Sequence, residues 1–175
     1  MKHIKTITIP PLKGTKVIVD SKLFSYIDSD FKNWGATEKG IPTKEMKLDV
    51  FEMDKDARFD EMMSIDNLLT QEQILYFVEN HRDLLRQEGF VTFFPFKSDD
   101  RVFVASVYVR VGGALSARVY RFSFDYVWYA GDRLRVVVPQ LALNNSEPNP
   151  SDTLIDINQA IERVKADGYL IFKQI

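Results

Sequence analysis

The stretch FVTFFPFKSDDRVFVASVYVRVGGALSARVYRFSFDYVWYAGDRLRVVV, residues 90–138, decides the fold. Three clusters of turn-forming residues divide it: Ser98-Asp99-Asp100, Gly112-Gly113 and Ala130-Gly131-Asp132. Between them the chain is rich in valine, phenylalanine and tyrosine, which suit a pleated, half-buried surface. The pattern predicts a four-stranded antiparallel meander with strands over about 90–97, 101–111, 114–128 and 133–138. Gly112-Gly113 reads as a two-residue hairpin turn, since both central positions of such a turn take positive φ.

That turn sets an expected register. Pairing Val111 with Ala114 places Val109 opposite Ser116, Ala105 opposite Tyr120 and Phe103 opposite Phe122. The face of Phe103, Ala105, Val107, Val109 and Val111 then joins the face of Tyr120, Phe122, Phe124, Tyr126 and Trp128. Two apolar faces on one side make a core face. Residues 90–129 hold 12 of the chain's 22 aromatics, and this alignment reads them as packing in preference to a base-stacking platform.

The opposite face of the expected meander carries Tyr108, Arg110 and Arg121. Arg133 and Arg135 join them if the last turn is a three-residue loop. Residues 90–140 contain seven Lys/Arg against four Asp, a local charge of +3, while the remainder has sixteen against twenty-one, or −5. Six of those seven cations are arginine, whose planar fork suits carboxylate and phosphate. The plainer reading is a solvated face with arginine–aspartate pairs, Asp125 being the obvious partner. Val91, Phe93, Val104 and Val127 share this face, so a helix, the one over 71–88, is expected to cover part of it.

Outward from the meander, residues 71–88 carry the clearest helix signal. Thr70 is the N-cap, Gln73 completes a capping box, and Leu69 with Ile74 forms a hydrophobic staple. Ile74, Phe77, Val78, His81, Leu84 and Leu85 make one apolar stripe, and Gly89 closes it. A second helix is expected over about 153–166, from Ile157, Ala160, Ile161 and Val164, followed by a short strand over 169–173. Short strands are expected over 4–10, 16–20 and 45–53. Residues 21–35 read as a helix or two helical turns, and 59–63 as a short helix. The expected fold is thus one α+β domain over residues 1–175, with a mainly antiparallel sheet and two principal packed helices.

Composition narrows the function classes. The chain has 175 residues, 45% apolar and 27% charged, with a net charge of −2. That is ordinary for a globular protein and unlike a generally basic nucleic-acid binder. Cysteine is absent, which excludes disulfides, thiolate metal sites and cysteine nucleophiles and favours a reducing, cytoplasmic setting. No signal peptide is visible, and no apolar run approaches the roughly 20 residues needed to cross a bilayer.

Chemical motifs are sparse. Asp28/Asp30, Asp54/Asp56 and Asp60/Glu61 could hold a cation or work as an acid–base pair. Neither aspartate pair fits a calcium loop, because Lys32 and Phe59 stand where a ligand and a glycine are needed. Turn and capping roles account for these residues. Asp20, Asp28 and Asp30 are the set that a metal-assisted or carboxylate enzyme would use. His3 and His81 are the two histidines, too few for a zinc site without cysteine. Phosphate-binding glycine loops and nucleophile elbows are missing, and no cofactor is expected.

Three stretches, KVIVDSKLFSYIDSDFKNWG (16–35), TQEQILYFVENHRDLLRQEG (70–89) and YRFSFDYVWYAGDRLRVVVPQL (120–141), resemble a family of small bacterial hypothetical proteins with no assigned function. The resemblance implies a bacterial source and a single domain, and no activity. The functional expectation from the residues is a non-catalytic binding domain that meets an acidic partner through the arginine-bearing sheet face or a sheet edge. Nucleic-acid binding through the same arginines with Tyr108 is the alternative, and a carboxylate or metal-dependent enzyme the third.

Overall fold

A computed structural model describes residues 1–66 and 68–140. Its elements are strands β1 (Lys2–Ile9), β2 (Tyr26–Ile27), β3 (Met46–Glu52), β4 (Val91–Ser98), β5 (Arg101–Val109), β6 (Leu115–Arg121) and β7 (Arg135–Pro139), with helices α1 (Asp30–Asn33), α2 (Phe59–Met62) and α3 (Gln71–Asn80). The seven strands form one sheet in the order β1-β3-β7-β4-β5-β6-β2. The expected helix over 153–166 and strand over 169–173 lie outside the described residues.

The fold is α+β, but the sheet is mixed, and the expected four-stranded antiparallel meander is wrong. Only β4, β5 and β6 run as consecutive antiparallel neighbours. β6 ends at Arg121 and does not continue to residue 128. The chain then crosses the sheet, touches Ala57 through a bridge at Trp128, and enters β7 on the far side of β4. β7 pairs parallel with β4 (Thr92↔Arg135, Phe93↔Val136) and antiparallel with β3 (Leu48↔Pro139 to Glu52↔Arg135). β2 is also parallel to its neighbour β6.

The register across Gly112-Gly113 also differs from expectation. Val109 faces Leu115, Ala105 faces Val119 and Phe103 faces Arg121. The Gly113 N–H bonds the Arg110 carbonyl (2.8 Å) and the Arg110 N–H bonds the Ala114 carbonyl (2.8 Å), so the loop has three residues, 111–113. Gly112 and Gly113 take φ of 86° and 83°. One extra loop residue slips the register by one, which turns every β6 side chain to the other face. Tyr120 therefore leaves the Phe103 face and joins Val104 and Tyr108.

Both faces of the sheet are consequently packed. On one, Phe94, Phe96, Phe103, Ala105, Val107, Ala117 and Val119 meet Ile74, Phe77 and Val78 of α3, with Phe77 edge-on to Phe94 at 5.3 Å. On the other, Val91, Phe93, Val104 and Val136 meet Phe59 and Met62 of α2 and, from the crossing segment, Phe122 and Trp128. The Trp128 ring lies 4.7 Å from Phe93 and 5.5 Å from Phe59. So α3 does not cover the Val91/Phe93/Val104 face, as the sequence had suggested; α2 and the crossing segment do. β4 is buried on both faces, as a central strand must be. Pro95 is tolerated there because its carbonyl points to Leu69 (N–H···O 2.9 Å), beyond the two β4 residues that pair with β7. Its missing N–H faces the same side and interrupts no strand ladder.

Two local expectations also change. The segment 16–20 is not a strand. It forms a 3₁₀ turn at Ile18–Asp20, because the Ile18 N–H bonds the Gln71 side chain (3.0 Å) and the Thr15 N–H bonds Glu72 (2.7 Å), leaving no strand partner. The capping box of α3 forms as expected, with Thr70 and Gln73 exchanging hydrogen bonds of 3.3 and 2.8 Å. The helix stops at Asn80, well before residue 88, leaving one long helix among the described residues. Asn80 turns its side chain to the Tyr76 carbonyl (2.9 Å), and His81 leaves helical dihedrals.

Candidate functional site

The site grows from the edge formed by β6, β2 and α1. Along β6 the side chains alternate. Leu115, Ala117 and Val119 are buried toward α3, while Ser116, Arg118 and Tyr120 face the other way with Tyr108 of β5 and Arg110 just after it. β2 flanks β6 at only two positions, Tyr26↔Ser116 and Ile27↔Ala117. The Asp28 N–H makes a last bond to the Ala117 carbonyl (3.0 Å). Asp28 then accepts the Asp30 N–H (3.1 Å), a local turn that directs the chain into α1. Beside residues 118–121 of β6 this leaves a cleft of about 700 Å³, lined by Asp28, Asp30, Trp34, Arg118, Val119, Tyr120, Arg121, Ser123, Phe124 and Asp125.

Three arginines mark this edge. Arg118 lies over the Tyr108 ring at 5.5 Å, Arg121 over Trp34 at 5.1 Å and Arg110 over Tyr26 at 6.0 Å. The Arg110 Nε also bonds the Ser116 hydroxyl (3.2 Å). Among the described residues, none of the three is within ion-pair distance of a carboxylate. Burial works to lower the Arg118 pKa, but the neighbouring Tyr108 and Tyr120 hydroxyls outweigh it, so the guanidinium is held above its ordinary value. The Tyr120 hydroxyl is pushed up to about 12, first by burial and then by Tyr108. It therefore stays a neutral hydrogen-bonding group. The aromatic strip continues outward: Phe124 lies 5.2 Å from Tyr120 and stacks on Tyr126 at 5.9 Å, and both outer rings are 43% exposed.

The five residues singled out in the sequence are not on one face. Tyr108 and Arg110 are together. Arg121 is on the opposite side of β6, against α1. Arg133 and Arg135 lie across the sheet at Glu52. The Arg133 guanidinium bonds Glu52 at 2.8 and 2.9 Å, and Arg135 is 3.9 Å from the same carboxylate while donating to the Leu84 carbonyl at 2.8 Å. Glu52 is 9% exposed, so this is an internal ion group. Asp125 pairs with Arg58 at 3.3 Å. The sequence reading passed over Arg118 because the expected register turned it toward the aromatic core. It passed over Trp34 because nothing local ties residue 34 to strand 115–121.

The aspartates do not converge either. Asp28 and Asp30 line the β6 cleft, whereas Asp20 lines a separate cleft of about 500 Å³ with Lys16, Lys22, Lys39 and Glu79. Among the described residues no three His, Asp or Glu side chains are grouped to hold a metal ion. The His81 ring packs at a tilt against Phe77 and Tyr76, with centroids 5.6 and 6.2 Å away, which is a packing role. No helix among the described residues is long and apolar enough to cross a membrane. Compared with known proteins, the chain matches no family model, no curated protein and no solved structure.

Proposed function

We propose that the protein is a non-catalytic binding domain that holds an acidic partner at the β6 edge, through Arg118 and Arg121 with Arg110 beside them. One observation carries this reading. These three guanidinia are laid on aromatic rings and lack carboxylate partners among the described residues, while Arg58, Arg133 and Arg135 have theirs. An arginine held flat on a ring keeps its donors directed and loses little further freedom when an anion arrives. A cytoplasmic setting is part of this proposal and rests on the absence of cysteine.

Calorimetric titration of polyglutamate into the protein at low salt tests it. Wild type binds, and Arg118→Ala/Arg121→Ala weakens binding at least tenfold. Lys97→Ala, which removes a cation already 3.4 Å from Asp100, leaves it unchanged. Equal binding by wild type and the double variant contradicts the proposal.

A second reading, single-stranded nucleic acid on the same arginines with Tyr108, is favoured by the exposed Phe124 and Tyr126 rings, which are available for base stacking. Asp28, Asp30 and Asp125 line the same cleft and repel phosphates and carboxylates alike, so either partner has that repulsion to overcome. Binding of oligo(dT) that falls steeply between 50 and 200 mM salt would support it.

A further inference from the structure

We infer that the acidic partner is an extended peptide that adds a strand to β6 beyond the two residues paired with β2, and that it presents two adjacent carboxylates, one to Arg118 and one to Arg121. This rests on the binding function proposed above and names the partner's form.

The backbone makes the argument. In an antiparallel pair, alternate residues direct both N–H and C=O toward the same neighbour. The bonds Arg110 N–H to Ala114 and Phe122 N–H to Val102 fix the even-numbered β6 residues as those bonded to β5. The odd-numbered residues therefore point outward. The carbonyls of Leu115 and Ala117 do so, and accept N–H groups from Ser25 and Asp28 at 2.8 and 3.0 Å. Val119 is next in that row. Its N–H and C=O point into the cleft, and no described residue bonds them, although Val119 is only 2% exposed. A backbone donor and acceptor left unpaired in so closed a position are costly, and pairing them is favourable. An added strand supplies the missing N–H and C=O together. A nucleic-acid backbone has no amide to do so.

The side chains then fix the sequence that fits. Successive residues of a strand point to opposite faces of the sheet. Arg118 lies on the Tyr108 side and Arg121 on the Trp34 side. A strand beside 118–121 thus offers residues an odd number of positions apart to the two arginines, and i with i+1 is the shortest such pair. Two neighbouring acidic residues satisfy both, whereas two acidic residues separated by one position face the same arginine. This is strand-addition recognition, with backbone bonds for affinity and side chains for selection.

The test is titration, followed by Trp34 fluorescence in a Trp128→Phe background, with acetyl-Thr-Val-Glu-Glu-Val-Thr-amide. Two copies of the peptide N-methylated at one or the other glutamate, and acetyl-Thr-Glu-Val-Glu-Val-Thr-amide, are titrated alongside. The expected result is saturable binding of the first peptide, at least tenfold loss on methylating one glutamate but not the other, and at least fivefold loss with the separated carboxylates. Binding that ignores both methylations overturns strand addition and leaves the acidic-partner reading standing, as does polyglutamate binding without peptide binding. Failure of polyglutamate and peptide alike overturns both. Binding of oligo(dT) in place of the peptide also overturns strand addition.

Discussion

The Arg118 guanidinium lies 5.5 Å from the centre of the Tyr108 ring, one strand away across the β5–β6 ladder. Tyr120 completes the group from the same strand as Arg118 and shares its hydrogen bonding. The tyrosines hold the cation in place, and Tyr120 supplies no negative charge at neutral pH. The titration of Tyr120 should be visible. Tyr120, raised to about 12, stays protonated in the native state over a range where the unfolded chain, near the ordinary tyrosine value of 10.0, has lost the proton. The native state binds more protons there, so stability falls as pH rises from about 10 toward 12. Denaturant midpoints across that range should fall less steeply for Tyr120→Phe than for wild type. A parallel fall would exclude this role.

At the acid end, His81 has the opposite sign. Burial lowers its pKa from 6.5, with Asp83 working against the shift and Lys5 with it. The unfolded chain takes up the proton first. Stability is therefore full above about pH 6.5 and declines as pH falls through the native-state value. His81→Gln should flatten the dependence of the urea midpoint between pH 7 and 5. An unchanged slope would place the acid sensitivity elsewhere.

Among the described residues Glu52 is the most buried carboxylate in an ion pair, and it answers to Arg133 and Arg135 at once. Glu52→Ala strands the guanidinium of Arg135, which is 20% exposed, and is expected to cost about 3 kcal/mol. Arg133 is 64% exposed, so Arg133→Ala should cost less than about 1 kcal/mol. Chemical denaturation of the two variants checks the order. Polyglutamate binding should be unaffected by Arg133→Ala.

Gly14 has φ of 74°, and a Cβ there would lie 2.3 Å from the Ile41 carbonyl oxygen. Gly14→Ala should lose about 2 kcal/mol, from left-handed strain together with the backbone clash. Gly112→Ala meets nothing within 4 Å and suffers strain alone, so the smaller loss is expected there. Thermal denaturation of both separates the two contributions.

Much of the chain was readable from local pattern. The strands β4 and β5, the capping box at Thr70 and Gln73, and the short helix at Phe59 follow from nearest-neighbour chemistry. What escaped is non-local. Whether the Gly112-Gly113 loop takes two residues or three depends on which β6 face the sheet buries, and that choice moves Arg118 from the core side to the side of Tyr108. The segment after Arg121 alternates like a strand, yet Trp128 leaves the ladder to pack on Phe59 and Phe93. β7 then finds partners in β3, more than eighty residues earlier. Of the site, Tyr108, Arg110 and Arg121 were legible as chemistry but not as a place. Trp34 and the unpaired Val119 backbone emerge only once α1 is set beside β6.

The most direct measurement is a titration of ¹⁵N-labelled protein with polyglutamate, observing the Val119 amide and the arginine Nε resonances together. The account predicts large shifts at Val119, Arg118 and Arg121 and none at Arg133. Shifts centred on Arg133 and Arg135, or none at Val119 and Arg118, would contradict it.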